Sequence, residues 1–277
     1  MTTKRIITGG LFLAAIWPST FAQSSDPTDP ATYETVLIPL DVQPASDPLL
    51  GANGSRWVVE LQVYNLHDDE VLFNQSGPFC PLPGGCETQS GFPALPAGFI
   101  GVLERNPPHT GIEGRLQHVQ LSHSSLVRFQ LRLSDVSRDD ANLGSEIPVV
   151  RESDFLMGRT ALLAIPVGAE SRVALRIYDP SGGGGGEAIM VRVYSEFGKD
   201  LLWETRVTRT AFVPQIFPEF PPLPGYADLF SLEQRPELAG YERVRIEIEP
   251  VNPSMKYWAM ASITNNSTQM VTIVSPQ

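Results

Sequence analysis

The sequence predicts an all-β protein of two tandem sandwich domains, and three observations carry that prediction. Apolar residues recur at every second position along short runs, Gly and Pro interrupt those runs at short intervals, and a series of short motifs occurs twice in the same order. Alternation with period two buries one face of a strand and leaves the other wet, because successive side chains point to opposite sides of the sheet.

The alternation is clearest in Val127-Arg128-Phe129-Gln130-Leu131-Arg132-Leu133, and again where Val244, Ile246 and Ile248 are set against Arg243, Arg245, Glu247 and Glu249. With 25 Pro and 23 Gly between such runs, the pattern is that of many short strands joined by turns. The repeat begins with Leu37-Ile38-Pro39-Leu40 against Ala164-Ile165-Pro166-Val167. It continues with Val59 to Asn65 against Val173 to Asp179, and with Leu95 to Phe99 against Leu223 to Tyr226, where Gly98 and Gly225 are expected at turns entering strands. Leu131 to Ser137 against Ala261 to Ser267, and Ile147-Pro148 against Ser275-Pro276, complete it. Ordered matches of this kind predict two copies of one module. The boundary is placed near Val150 to Phe155, giving β-sandwich domains at 33–150 and 151–277. Each unit has roughly 120 residues, a size that suits a seven-stranded immunoglobulin-like sandwich. Within the second copy, Val173 to Asp179 and Ile189 to Ser195 are similar strands flanking a run of five glycines, and they read as the arms of a long hairpin with a mobile turn.

Residues 1–22 read as a cleaved signal peptide: Lys4 and Arg5 form a basic head, Ile6 to Ile16 an apolar run too short to span a bilayer, and Thr20-Phe21-Ala22 a small-residue cleavage site. Residues 23–32 follow as a disordered linker. No later apolar run is long enough for a transmembrane anchor, so a secreted or periplasmic location is expected. Removing the two basic residues of the leader takes the formal net charge from −11 to −13. So acidic a chain is a poor partner for nucleic acid, whose binding needs clustered positive charge. Cys80 and Cys86 are expected to form a local disulfide in the exported protein, stabilising by about 2 kcal/mol in the chain-entropy model. Two thiolates with no nearby His fall short of a zinc site.

No local signature of a hydrolase or nucleotide enzyme is present, and no catalytic residues, metal ligands or cofactors are assigned. The four histidines, at 67, 109, 118 and 123, are poorly arranged for a metal, since 118 and 123 point to opposite faces of a predicted strand region. Glu247 and Glu249 lie two apart, as a glycoside hydrolase built on a sandwich would place its carboxylates; they alternate with Ile on an ordinary amphipathic strand, and a solvated sheet face is the reading preferred. Asp135, Asp139, Asp140 and Glu146 gather at the junction, with Asn142 among them, but their spacing fits no calcium loop and a hydrated linker is expected. Phe217 and Phe220 belong to a Pro-rich stretch that reads as an extended segment. Arg176, Tyr178, Arg192 and Tyr194 form the candidate binding face: all four are expected on one side of the long hairpin, opposite Val173, Leu175, Val191 and Val193, where they either hold a partner or cover the contact between the modules.

Gly54-Ser55-Arg56-Trp57 leading into the strand that ends at Asn65, the Leu-Pro-Gly turns, Gly144-Ser145-Glu146-Ile147-Pro148, and the ending from Tyr257 through Pro276-Gln277 resemble a repeat module of secreted bacterial proteins, from acidobacteria and actinobacteria among others. That module has no established activity. The resemblance implies a non-catalytic extracellular sandwich, so the expected role is a surface, adhesion or scaffold component that contacts protein or carbohydrate. A carbohydrate-active hydrolase using a carboxylate pair is the alternative.

Overall fold

The computed structural model describes residues 32–40, 45–74, 94–102, 114–138, 144–180, 188–208 and 225–276. The leader, Cys80, Cys86, Asp139, Asp140, Asn142, the five glycines, Phe217 and Phe220 lie outside them. The described chain is all-β, with 3-10 turns of three residues as its only helical elements. Among the described residues, no helix is long and apolar enough to cross a membrane.

The first ten strands are β1 (Tyr33–Ile38), β2 (Leu49–Leu50), β3 (Arg56–Asn65), β4 (Val71–Asn74), β5 (Ala94–Leu95), β6 (Ile100–Val102), β7 (Arg115–Gln120), β8 (Val127–Asp135), β9 (Ser145–Ile147) and β10 (Val150–Arg151). They form two antiparallel sheets, β10-β1-β7-β4-β5 and β2-β3-β8-β9, with β6 paired to β3. The remaining strands are β11 (Thr160–Pro166), β12 (Ser171–Asp179), β13 (Ala188–Ser195), β14 (Leu201–Thr208), β15 (Gly225–Leu229), β16 (Arg243–Pro250), β17 (Trp258–Asn265) and β18 (Val271–Val274). Their sheets are β11-β16-β13-β14 and β15-β12-β17-β18.

The alternation seen in the sequence decides which faces are buried. On β16, Val244, Ile246 and Ile248 have no exposed surface, while Arg245 and Glu247 between them point outward. One apolar core joins those residues to Val173, Leu175 and Ile177 of the facing sheet. A second core lies between the N-terminal sheets, where Phe73 stacks on Phe129 at 6.1 Å. Gly98 does sit in a turn, at φ 65°, just ahead of β6, and Gly225 opens β15.

Setting aside β2 and β10, the two sheet pairs have the same connectivity. In each, the first strand pairs with the sixth, the second with the fifth and seventh, the third with the fourth and sixth, and the seventh with the eighth. Of these pairs only the second–fifth and third–sixth occur in the seven-stranded immunoglobulin arrangement, in which the first strand pairs with the second, the fourth with the fifth and the sixth with the seventh. The correspondence between the two sheet pairs extends to side chains. Asp135 Oδ1 accepts from the backbone N–H and hydroxyl of Ser137 at 3.0 and 2.6 Å, and Asn265 Oδ1 accepts from the same groups of Ser267 at 2.9 and 2.7 Å.

The expected long hairpin is corrected. β12 pairs with β15 and β17, whereas β13 pairs with β14 and β16 in the facing sheet. β12 and β13 therefore lie in different sheets, and residues 181–187 between them lie outside the described residues. Sheets packed face to face lie only about 10 Å apart, so a connection of this length serves a crossover as well as a hairpin.

Candidate functional site

Because β12 and β13 belong to opposite sheets, the four residues of the predicted binding face divide into two pairs. Arg192 and Tyr194 lie on the outer face of β11-β16-β13-β14, where Arg192 takes part in cross-strand charge pairs and Tyr194 in a cation–π contact. Arg192 donates from Nε to Glu204 and from Nη1 to Glu249, both at 2.5 Å. Hydrogen bonds to Glu249 first, and then to Glu204, push the guanidinium further above its ordinary range. The Arg245 guanidinium stands over the Tyr194 ring, 4.9 Å from its centre. Glu247 lies 3.3 Å from Arg245 and 3.6 Å from Arg159. Glu247 and Glu249 therefore share a face with three arginines, and neither lines either of the two pockets between the strands.

Arg176 and Tyr178 point the other way, out of the opposite sheet and into the contact between the two sheet pairs. Tyr178 is 1 % exposed, and its hydroxyl donates to the Pro39 carbonyl at 2.6 Å. With Trp258 and Met260 it joins the core that the N-terminal sheets enclose. The sheet β15-β12-β17-β18 is thus covered on both faces. Other contacts fix the same junction: Ser145 Oγ donates to the Val271 carbonyl, Arg138 Nη1 to the Ser267 carbonyl at 3.1 Å, and Leu156 forms a backbone bridge with Tyr257.

Where that junction is incompletely filled, a pocket of about 350 Å3 remains. Its floor is the outer face of β12 and β17, where the small side chains Ala174 and Ser262 sit directly opposite each other. Arg172 and Arg176 flank Ala174 on the same face of β12. Leu40, Trp57, Val59 and Leu133 of the N-terminal sheets form the wall above. Leu50, 85 % exposed, and Phe230, 52 % exposed, also line it. The sequence pattern marked Arg176 and missed the rest, because the wall and floor come from segments far apart in the chain.

A second pocket, of about 400 Å3, lies between Thr35, Glu152, Asp179, Met255 and Lys256, among others. Close by, His118 is buried, with its Nδ1 3.4 Å from Thr35 Oγ1. Burial depresses its pKa to about 4, against a smaller upward pull from Glu152. His67 and His123, which the sequence did not bring together, meet edge to face at 4.2 Å. Among the described residues, no group of three His, Cys, Asp or Glu side chains is placed to hold a metal. Asp135, a member of the acidic group weighed for calcium, is 2 % exposed and has its oxygens turned inward to Arg56, Ser137 and Arg138. Comparison with family models, curated proteins and solved structures finds no match to this chain.

Proposed function

We propose that the protein is an exported, non-catalytic binding protein: two copies of one sandwich module, immunoglobulin-like in their central strand pairs, joined as one stiff unit that serves as a surface or scaffold component. The observation that carries this reading is the junction, where an outer sheet face of one copy completes the core of the other and so fixes the orientation of both. A stiff two-module body presents its outer faces at a set spacing, as a display or spacing element requires. The shared connectivity supports the duplication, and the resemblance to a secreted bacterial repeat supports export. The contact face for a protein or glycan partner is the charged outer face around Arg192 and Tyr194, where aromatic and guanidinium groups are presented together.

Two measurements test this. Expression of the full chain in a bacterium with a general secretory pathway, followed by fractionation and N-terminal sequencing, is expected to give an exported chain beginning at Gln23; a chain retained in the cytosol with Met1 intact overturns export. A glycan array paired with a hydrolysis assay on the same glycans is expected to show binding without turnover, weakened about tenfold or more in R192A/Y194A. Hydrolysis abolished in E247Q or E249Q would instead establish the carboxylate-pair enzyme.

A further inference from the structure

We propose that the pocket between the two sheet pairs binds a small amphipathic carboxylate, with its apolar body against Trp57, Val59, Leu133 and Met260 and its carboxylate on Arg176. This goes beyond the contact reading above and uses the opposite face of the C-terminal sheets.

The volume of about 350 Å3 falls in the range of small-ligand sites, roughly 300–1,000 Å3. Such sites are mainly apolar with a few well-placed polar groups, and this one follows that pattern. Its hollow has a definite origin. At the paired positions Ala174 and Ser262 the outer sheet face carries small side chains, whereas at the next pairs along the strands it carries Arg176 with Met260 and Tyr178 with Trp258. Larger residues at 174 and 262 would close the gap with the opposing wall. The exposure of Leu50 and Phe230 beside the space leaves apolar surface in water that an apolar ligand would cover.

The electrostatics select the sign of the ligand. Arg172 is engaged by a neutral partner, donating from Nη2 to Gln269 Oε1 at 2.6 Å. The Arg176 side chain is 12 % exposed, and its nearest anion, Asp228 Oδ1, stands 3.7 Å from Nε, beyond hydrogen-bond length. Arg176 Nε is buried and makes no hydrogen bond. Glu233 Oε2 accepts from the Val173 backbone N–H at 2.9 Å, so the preference for an anion rests on Arg176, whose buried Nε would gain in a ligand carboxylate the hydrogen-bond acceptor that Asp228 does not supply. A carboxylate is the anion suited to the planar fork of an arginine, through charge-assisted and commonly bidentate hydrogen bonds.

Calorimetric titration of the purified protein with decanoate, decanol and decyltrimethylammonium tests the proposal on the unaltered chain. Decanoate is expected to bind at a single saturable site, about tenfold or more tighter than decanol, with the cation weakest. R176Q is expected to abolish that preference for decanoate over decanol. A174L fills the floor while leaving both arginines in place, and it is expected to reduce binding of decanoate and decanol alike at least tenfold. Far-UV circular dichroism and melting of both variants establish that they are folded. No saturable decanoate binding by the wild type, equal affinity for decanol, or undiminished binding by folded A174L would each overturn the proposal, and none of these outcomes bears on glycan or protein contact at the Arg192 face.

Discussion

At the scale of single residues, the buried polar groups make the sharpest predictions, because a buried acceptor or a suppressed charge has few ways to relax. Asp135 Oδ1 accepts three hydrogen bonds, from Arg56 N, Ser137 N and Ser137 Oγ. Burial works against its charged form, but the Ser137 hydroxyl and the two backbone donors outweigh it and hold the carboxyl below its ordinary value. D135A strands those donors and is expected to cost about 2–3 kcal/mol in urea unfolding. D135N keeps the acceptor, as Asn265 does at the matching turn, and is expected to cost less than half as much. Asp135 contributes stability above its unfolded pKa that is lost as pH falls through its lower folded value, and D135N removes that component. His118 acts in a different window. Its pKa of about 4 when folded lies below the ordinary 6.5, so between those values the unfolded chain takes up a proton that the native protein refuses. Stability is therefore expected to fall as the pH drops from about 6.5 to about 4, by up to about 3 kcal/mol. H118Q should flatten that part of the unfolding free energy against pH; an unchanged curve would show that the imidazole is not the group responsible.

Strands and turns translate from sequence to structure unevenly. G98A and G114A separate two costs: Gly98 has φ 65° with open space around it, whereas Gly114 has φ 76° and an added Cβ would lie 2.6 Å from the Ile38 carbonyl oxygen. The left-handed conformation alone costs a residue with a Cβ roughly 1–2 kcal/mol, which is the loss expected for G98A. At Gly114 the collision with β1 is added, so G114A is expected to cost at least twice as much in the same unfolding experiment. Individual strands were legible because burial follows alternation, as at Val244, Ile246 and Ile248, and because Leu61 and Leu175 occupy matching places in the repeat. Strand pairing was less legible. The alternation of Val173 to Asp179 is satisfied equally by a hairpin partner in the same sheet or by a core shared with the facing sheet, so local pattern did not reveal that β12 and β13 part company. The binding face built on that hairpin divided with it. The alternation left open whether Tyr178 holds a partner or covers the contact between the modules; its burial against Pro39 and the N-terminal core decides for the contact, which no local pattern reports. The candidate pocket was invisible for a related reason: its hollow comes from two small residues, Ala174 and Ser262, whose significance depends on what is packed over them.

At the scale of the whole molecule, the central question is whether two sheet pairs with separate cores behave as two bodies or as one. Domains joined through small polar contacts unfold separately, but here Tyr178, Trp258 and Met260 leave their own sheet pair to complete the core of the other. Unfolding the N-terminal sheets exposes those side chains to water, so the C-terminal sheets lose burial at the same moment. A single calorimetric transition is expected for the wild type. Y178F removes one hydroxyl and its bond to Pro39, and is expected to lower stability by about 1 kcal/mol while leaving one transition. W258A removes a large side chain from the shared core and is expected to cost about 3–5 kcal/mol. That loss falls on the coupling between the sheet pairs as well as on the N-terminal core. W258A/M260A is therefore expected to split the calorimetric peak in two, the N-terminal sheets melting first and the C-terminal sheets, whose own core contains neither residue, melting later. A lower but still single transition in the double variant would mean that the sheet pairs are coupled elsewhere. In that case the stiffness on which the spacing role depends would have to be sought in the contacts of β9 with β18 and of Leu156 with Tyr257.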